Sequence, residues 1–207
     1  MIGRFVAGQF RRPRGLVGRL VGQGMARGNA YEVRWTVALL DLQPADHILE
    51  IGFGPGIGIQ QAAAQATAGI VMGIDYSITM VHTARRRNAA AIRAGRVVLT
   101  HGDVAALPYP DAAFDKAFTI HCIYFWADPQ ACLTEVRRVL KPSGRVAVTI
   151  MPKDRWPPSR TAPPDLFTLY TPDEVARLLS LAGFRDVRVE HSPEPDQFPG
   201  ASIIGVK

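Results

Sequence analysis

Leu49-Glu50-Ile51-Gly52-Phe53-Gly54-Pro55-Gly56 is the stretch on which the fold turns. Its first three residues close the short apolar run His47-Ile48-Leu49-Glu50-Ile51, and glycines follow without a break. A run of that length between turn residues reads as a strand buried on both faces. Glycines at 52, 54, 56 and 58 let the chain turn sharply, approach a ligand without Cβ clashes and present main-chain N–H donors near the start of a helix. Strand, glycine turn and helix in that order predict the first unit of a doubly wound α/β sheet, with its ligand crevice outside the carboxyl ends of the strands where strand order reverses.

The flanking sequence continues the alternation. A helix is expected over residues 57–66, a second strand over 69–75, a helix from the N-cap Ser77 to residue 94, and a third strand over 96–101. Residues 114–122 read as the fourth strand. Asp128-Pro129 then opens a helix that Lys141-Pro142-Ser143-Gly144 stops, and residues 145–151 form the fifth strand. Pro152, Pro157, Pro158, Pro163 and Pro164 mark a loop, since that density suits neither helix nor central strand. Thr171-Pro172-Asp173-Glu174 combines an N-cap, a proline at the first helical position and a glutamate three residues on, and Gly183 supplies the stop. Residues 184–191 and 201–206 close the chain as strands, for seven in all.

Ahead of this unit, Leu16, Val17, Leu20, Val21 and Met25 recur at helical spacing, and Val33, Val37 and Leu40 do so again after Gly28-Asn29. Residues 1–42 are therefore expected to be a helical arm packed on the core, and residues 43–207 a domain with a single core. The 207 residues suffice for one buried parallel sheet and not for two separate cores. The arm holds the charge asymmetry: seven arginines against Glu32 alone in residues 1–34, against 17 basic and 17 acidic residues in the remainder. A solvated arm is the plainer reading, with attraction to an anionic acceptor or a membrane surface left open; without interleaved aromatics, no nucleic-acid partner is expected. No apolar run approaches the roughly 20 residues that span a bilayer, and Arg11, Arg12, Arg14 and Arg19 break any signal-peptide core, so a cytoplasmic location is expected. Cys122 and Cys132 lack zinc or disulfide spacing, and no metal is expected. The sequence fixes no oligomeric state.

A glycine turn alone does not name a ligand. The dinucleotide fingerprint Gly-x-Gly-x-x-Gly fails here, because the registers starting at Gly52 and Gly54 place Ile57 and Ile59 at the last glycine position. Asp75, 23 residues after Gly52 at the end of the second strand, is placed to accept hydrogen bonds from the two hydroxyls of an adenosine ribose.

With these residues in view, Leu49 to Gly56 resembles the first motif of the class I S-adenosylmethionine-dependent methyltransferases, and Gly73-Ile74-Asp75-Tyr76-Ser77 resembles the second. Gly102-Asp103-Val104-Ala105-Ala106-Leu107-Pro108-Tyr109 is similar to the family's adenine-side segment, and Leu140-Lys141-Pro142-Ser143-Gly144-Arg145 to the turn before its fifth strand. The likeness covers residues 40–190 in order and is nearest to small-molecule enzymes of the quinone-biosynthesis type. It implies a seven-stranded, mostly parallel, Rossmann-like sheet with an antiparallel C-terminal strand, and S-adenosylmethionine as methyl donor, leaving as S-adenosylhomocysteine.

The resemblance further implies that Glu50, Gly52, Phe53, Gly54 and Gly56 face the methionine part, Asp75 and Tyr76 the ribose, and Gly102, Asp103 and Val104 the adenine. His121 follows the fourth strand where family members meet cofactor and acceptor, so it is a candidate cofactor contact and a candidate base for the proton that a hydroxyl acceptor loses. Tyr124, Trp126, Trp156 and Tyr170 are candidates to line a pocket for a small aromatic or apolar acceptor. Structural alternatives stand beside these: Glu50 as a buried acid bonded to amides, Asp103 as a turn cap, His121 as a packed side chain, Trp156 on a surface loop. No Asn-Pro-Pro-Tyr-like segment follows the fourth strand, which favours oxygen or carbon acceptors over base nitrogens. Two rivals remain, a non-catalytic S-adenosylmethionine-binding partner and, more weakly, a nicotinamide oxidoreductase.

Overall fold

A computed structural model describes residues 8, 9, 12–15, 17, 18, 20, 24, 28–157 and 162–207. Of the first expected helix, Leu16, Val21 and Met25 lie outside the described residues, as does the 158–161 part of the proline loop. Val17 and Leu20 are exposed, so those two do not join the core. The second expected helix is α1, Ala30–Leu39, which buries Glu32, Val33, Thr36 and Val37 along one face.

The glycine unit takes the anticipated form. Strand β1, His47–Ile51, leads through the glycines into α2, Ile57–Gln65. Strand β2, Ile70–Asp75, precedes α3, Ile78–Arg87, whose N-cap Ser77 accepts the Met80 N–H. The expected single helix to residue 94 is broken: α3 ends at Arg87 and a short α4, Ala89–Arg93, follows. Asn88 causes the break, because its side chain turns inward and donates to the carbonyls of Ala84 and Gly56, both at 3.0 Å. An asparagine that satisfies backbone acceptors in this way competes with helix continuation.

Strands β3, Val97–His101, and β4, Phe114–Ile120, follow, then α5, Pro129–Val139, capped by Asp128 with Pro129 at the first helical position. Strand β5, Leu140–Ile150, begins five residues before the expected start. Leu140 pairs with Phe114, the ladder is interrupted, and pairing resumes at Lys116 with Arg145. Pro142 has no N–H to give the ladder and Ser143 sits at φ +64°, so the stop signal becomes a bulge within the strand. Helix α6, Pro172–Leu181, carries the full capping box of Thr171 and Glu174. Strands β6, Arg185–His191, and β7, Ala201–Val206, complete the chain.

The seven strands form one sheet in the order β3-β2-β1-β4-β5-β7-β6. β1 pairs in parallel with both β2 and β4, while β7 runs antiparallel to β5 and β6. The order reverses between β1 and β4, and the crevice beyond their carboxyl ends is where such a sheet binds ligands. One apolar cluster joins Val33, Ile59, Val81 and Phe118 on the α1–α3 face; a second joins Leu49, Leu133, Val148 and Leu179 on the α5–α6 face. Fully buried Ile48, Leu49 and Phe118 each contribute about 1.5–3 kcal/mol, which makes the centre of the sheet a rigid support for the loops above it.

Candidate active site

The glycine turn is a set of left-handed residues, with φ +69° at Gly52, +49° at Gly54 and +79° at Gly56. Gly52 N–H donates to Ile74 O at 2.8 Å, tying the turn to β2. A Cβ on Gly52 would overlap Cys122 Sγ, and one on Gly58 would overlap the Glu50 carboxylate. Close approach therefore requires glycine at both positions, and at Gly52 the backbone conformation requires it as well.

Two acids converge under this turn. Asp75 ends β2 and accepts the Gly54 N–H at 2.7 Å on Oδ2 and the Ser77 N–H at 2.8 Å on Oδ1. Burial pushes its carboxyl up to about 6, against the lowering effect of those two amides. Glu50, 4% exposed, is held well above the usual carboxylate range, first by burial and then by repulsion from Asp75. Its Oε2 is buried without a hydrogen-bond partner. A carboxylate oxygen in that condition costs about 1–3 kcal/mol or more unless a ligand supplies the missing donor.

The other candidates divide. Gly102 continues from β3 beside β2, its N–H donating to Asp75 O at 3.1 Å. Asp103 is exposed and caps the short turn Val104–Ala106 through the Ala105 N–H, so its capping role is realised. Tyr76 stands half exposed next to the Asp75 carboxylate, with the Arg12 guanidinium 4.5 Å from its ring centroid. Phe53 and Val104 are buried in opposite apolar clusters. The Phe53 ring packs against Gly73, so its main chain rather than its side chain borders the turn.

Beyond β4 the chain kinks at His121, whose φ of +56° is uncommon for a side chain other than glycine. The kink sets Cys122 over Gly52 and leads into the turn Ile123–Phe125. Here an aromatic group collects: Tyr124 meets Trp156 edge-on at 5.6 Å between centroids, and Phe167 meets Phe125 at 4.7 Å and Trp156 at 6.0 Å. The proline loop is held back onto this group by Thr168 N–H to Tyr124 O and Lys153 N–H to Tyr170 O, both 2.9 Å. Tyr170 and Trp126 are more than nine-tenths buried at its edge, Trp126 with an unpartnered Nε1.

Sequence reasoning missed three residues here. Cys122, which carries no zinc or disulfide spacing, abuts the glycine turn, and burial pushes its thiol up to about 12. Asn88 holds the Gly56 carbonyl. Glu32 comes down from α1 to within 4.0 Å of His121. Its signal was present as the one acid of the basic arm, four residues before the equally buried Thr36.

This arrangement of sheet, glycine turn and strand-end acids has known counterparts. Residues 49–148 match a family model described as a methyltransferase domain. The uncharacterized methyltransferase YdaC of Bacillus subtilis is 29% identical over 171 residues, covering 83% of this chain and 89% of YdaC. The demethylmenaquinone methyltransferase of Symbiobacterium thermophilum is 37% identical over 110 residues, 53% of this chain and 44% of the relative. Measured against several other curated relatives, the chain spans about half their length. In structure, a SAM-dependent methyltransferase from Aquifex aeolicus superposes with a TM-score of 0.71 at 22% identity, over 84% of this chain and 88% of that one. The fold is that of the class I methyltransferases. Along residues 49–148 the chain is similar to the S-adenosylmethionine-dependent methyltransferases of that class.

Proposed function

We propose that the chain moves the methyl group of S-adenosylmethionine to the oxygen or carbon of a small aromatic or apolar acceptor by in-line displacement. The observation that carries this reading is the juxtaposition, across the ends of β1 and β4, of two buried acids under a glycine cradle with the aromatic group of Tyr124, Phe125, Trp156 and Phe167. When bound, S-adenosylmethionine supplies a methyl on a positively charged sulfur and an ammonium on its amino-acid part. The site fits that molecule. Glu50 Oε2 lacks a donor, Asp75 keeps acceptor capacity beyond its two amides, and a cation relieves the repulsion between the two acids.

In this reading Glu50 and residues 52–56 hold the methionine part, Asp75 and Tyr76 the ribose, and Gly102 and Asp103 border the adenine. Tyr124, Trp126, Trp156 and Tyr170 shape the acceptor side. The part of the arm at Arg12, Pro13 and α1 borders the site, in a cytoplasmic protein with both cysteines free. Positioning is the main source of rate, since well-oriented reactants gain on the order of 7–11 kcal/mol over free encounter. The similarity to a demethylmenaquinone methyltransferase supports a ring-bearing acceptor.

A labelled-methyl assay over phenols, quinone precursors, fatty acids and sugars tests the reading. Transfer to phenols or quinone precursors is expected. Calorimetry showing binding of NAD and of neither S-adenosylmethionine nor S-adenosylhomocysteine would end it.

A further inference from the structure

Glu32, His121 and Tyr124 form a connected group at the rim of the crevice. Tyr124 Oη accepts the Met151 N–H and donates to Met151 O at 3.1 Å. It also meets His121 Nδ1 at 3.3 Å, and the tautomer with its hydrogen on Nδ1 satisfies that contact while leaving the lone pair on Nε2. Nε2 stands 4.0 Å from Glu32 Oε1. That separation is too long for a hydrogen bond and short enough for a carboxylate to stabilise a proton arriving on Nε2.

The surroundings hold the ring in this pose. Phe198 packs edge-on at 5.6 Å, Tyr124 stacks at 6.0 Å, and the His121 N–H donates to Thr149 O at 3.0 Å, fixing the kinked backbone. Among the described residues, the titratable groups in contact with the ring are Glu32 from α1 and Tyr124 from its own segment. β5 brings the Thr149 carbonyl, and the stretch before β7 brings Phe198. Glu32 is 8% exposed, and its Oε2 is buried without a hydrogen-bond partner. Both features are unfavourable for folding alone, as is a histidine at positive φ, and such features gather where a site needs them.

We infer that His121 is the base that takes the acceptor's proton at Nε2, and that Glu32, from the N-terminal helix, is the positioning residue that stabilises the resulting imidazolium. The inference rests on the methyl-transfer reading with a hydroxyl acceptor. As the acceptor oxygen bonds to the methyl carbon, the carbon–sulfur bond yields its electron pair to sulfur and the hydroxyl proton passes to Nε2. The imidazolium later returns that proton to water.

The test uses the full chain with labelled S-adenosylmethionine and a series of phenols running from weakly acidic to strongly acidic. Strongly acidic phenols arrive already ionised and need no base. His121→Gln is expected to lower kcat about 100-fold for the weakly acidic phenols and little for the strongly acidic ones. Glu32→Gln is expected to lower it about tenfold with the same gradient, and Glu32→Asp to recover part of the loss. S-adenosylhomocysteine affinity stays within about twofold for the Glu32 variants. In parallel, imidazole nitrogen NMR should find the neutral His121 ring carrying its hydrogen on Nδ1. Equal losses across the series, or a hydrogen on Nε2, overturn the pair while leaving methyl transfer intact. A wild type that methylates other acceptors and no phenol removes the hydroxyl acceptor, and the base with it.

Discussion

At the scale of single residues, the chemistry of this site is set by two buried carboxyls that share one enclosure. The Asp75 carboxyl is raised from 3.8 to about 6 and Glu50 lies well above its usual 4.5, so both hold protons more tightly in the fold than in the unfolded chain. A carboxyl raised in this way stabilises the fold below its unfolded value and loses that contribution as pH climbs through the folded value. For Asp75 the window runs from 3.8 to about 6. The cofactor-free protein should therefore lose stability across that window, and Glu50→Gln, which takes one of the two acids out of the enclosure, should raise the melting temperature at pH 8 by about 2–4 °C. A cationic ligand needs the ionised acids, so the sign reverses for binding. S-adenosylmethionine affinity should fall as pH drops below about 6, by up to about tenfold per unit for each proton displaced; calorimetry between pH 5 and 8 measures it, and a flat profile contradicts it.

Gly52 offers a second residue-scale test with an internal control. Gly52 and Gly95 have nearly the same backbone, φ +69° and +72°, yet a Cβ at Gly52 would overlap Cys122 Sγ whereas one at Gly95 meets open space. Alanine at either site carries the left-handed penalty of about 1–2 kcal/mol. Only Gly52→Ala should also abolish S-adenosylhomocysteine binding. Equal affinity in the two folded variants would show that the crowding above the turn is irrelevant to the ligand.

At the scale of elements, the central strands were legible because a doubly covered sheet demands short, nearly continuous apolar runs, and β1 and β2 are such runs. The caps of α3, α5 and α6 were legible for a different reason: Ser77, Asp128 and Thr171 satisfy amides three residues ahead, so the sequence holds both partners within one window. The break at Asn88 and the early start of β5 were not, since one depends on the Gly56 carbonyl of a distant turn and the other on pairing between Leu140 and Phe114. The same distinction separates two mutants. Thr171→Ala should cost about 1 kcal/mol of stability and leave ligand affinity alone. Asn88→Ala should cost about 1–3 kcal/mol and weaken S-adenosylhomocysteine binding as well, because it frees the carbonyl of the glycine turn. Thermal melts paired with calorimetry distinguish the two patterns.

At the scale of the whole molecule, the order β3-β2-β1-β4-β5-β7-β6 brings the ends of β1, β2 and β4 together, and with them Glu50, the glycine turn, Asp75 and His121. What the motifs could not carry is the arm, whose contacts join residues far apart in sequence. Pro13 is buried, its carbonyl accepts the Ser77 hydroxyl at 2.6 Å, and Arg12 lies over Tyr76, so the arm touches the corner where Asp75 sits. One hydrogen bond and one cation–π contact at such a place contribute about 1.5–2.5 kcal/mol together. If they steady the Asp75 corner for the ligand, deleting residues 1–28, which leaves α1 and its buried Glu32 in place, should weaken S-adenosylhomocysteine binding by about tenfold. Ser77→Ala, which loses the same hydrogen bond along with a helix cap, should move affinity in the same direction. The truncated chain is expected to keep its cooperative melt, because Val33, Val37 and Leu40 remain in the cluster on the α1 face. Unchanged affinity in that folded truncation would mean that the arm rests on the corner without shaping it, and that its arginines answer to a partner outside the crevice.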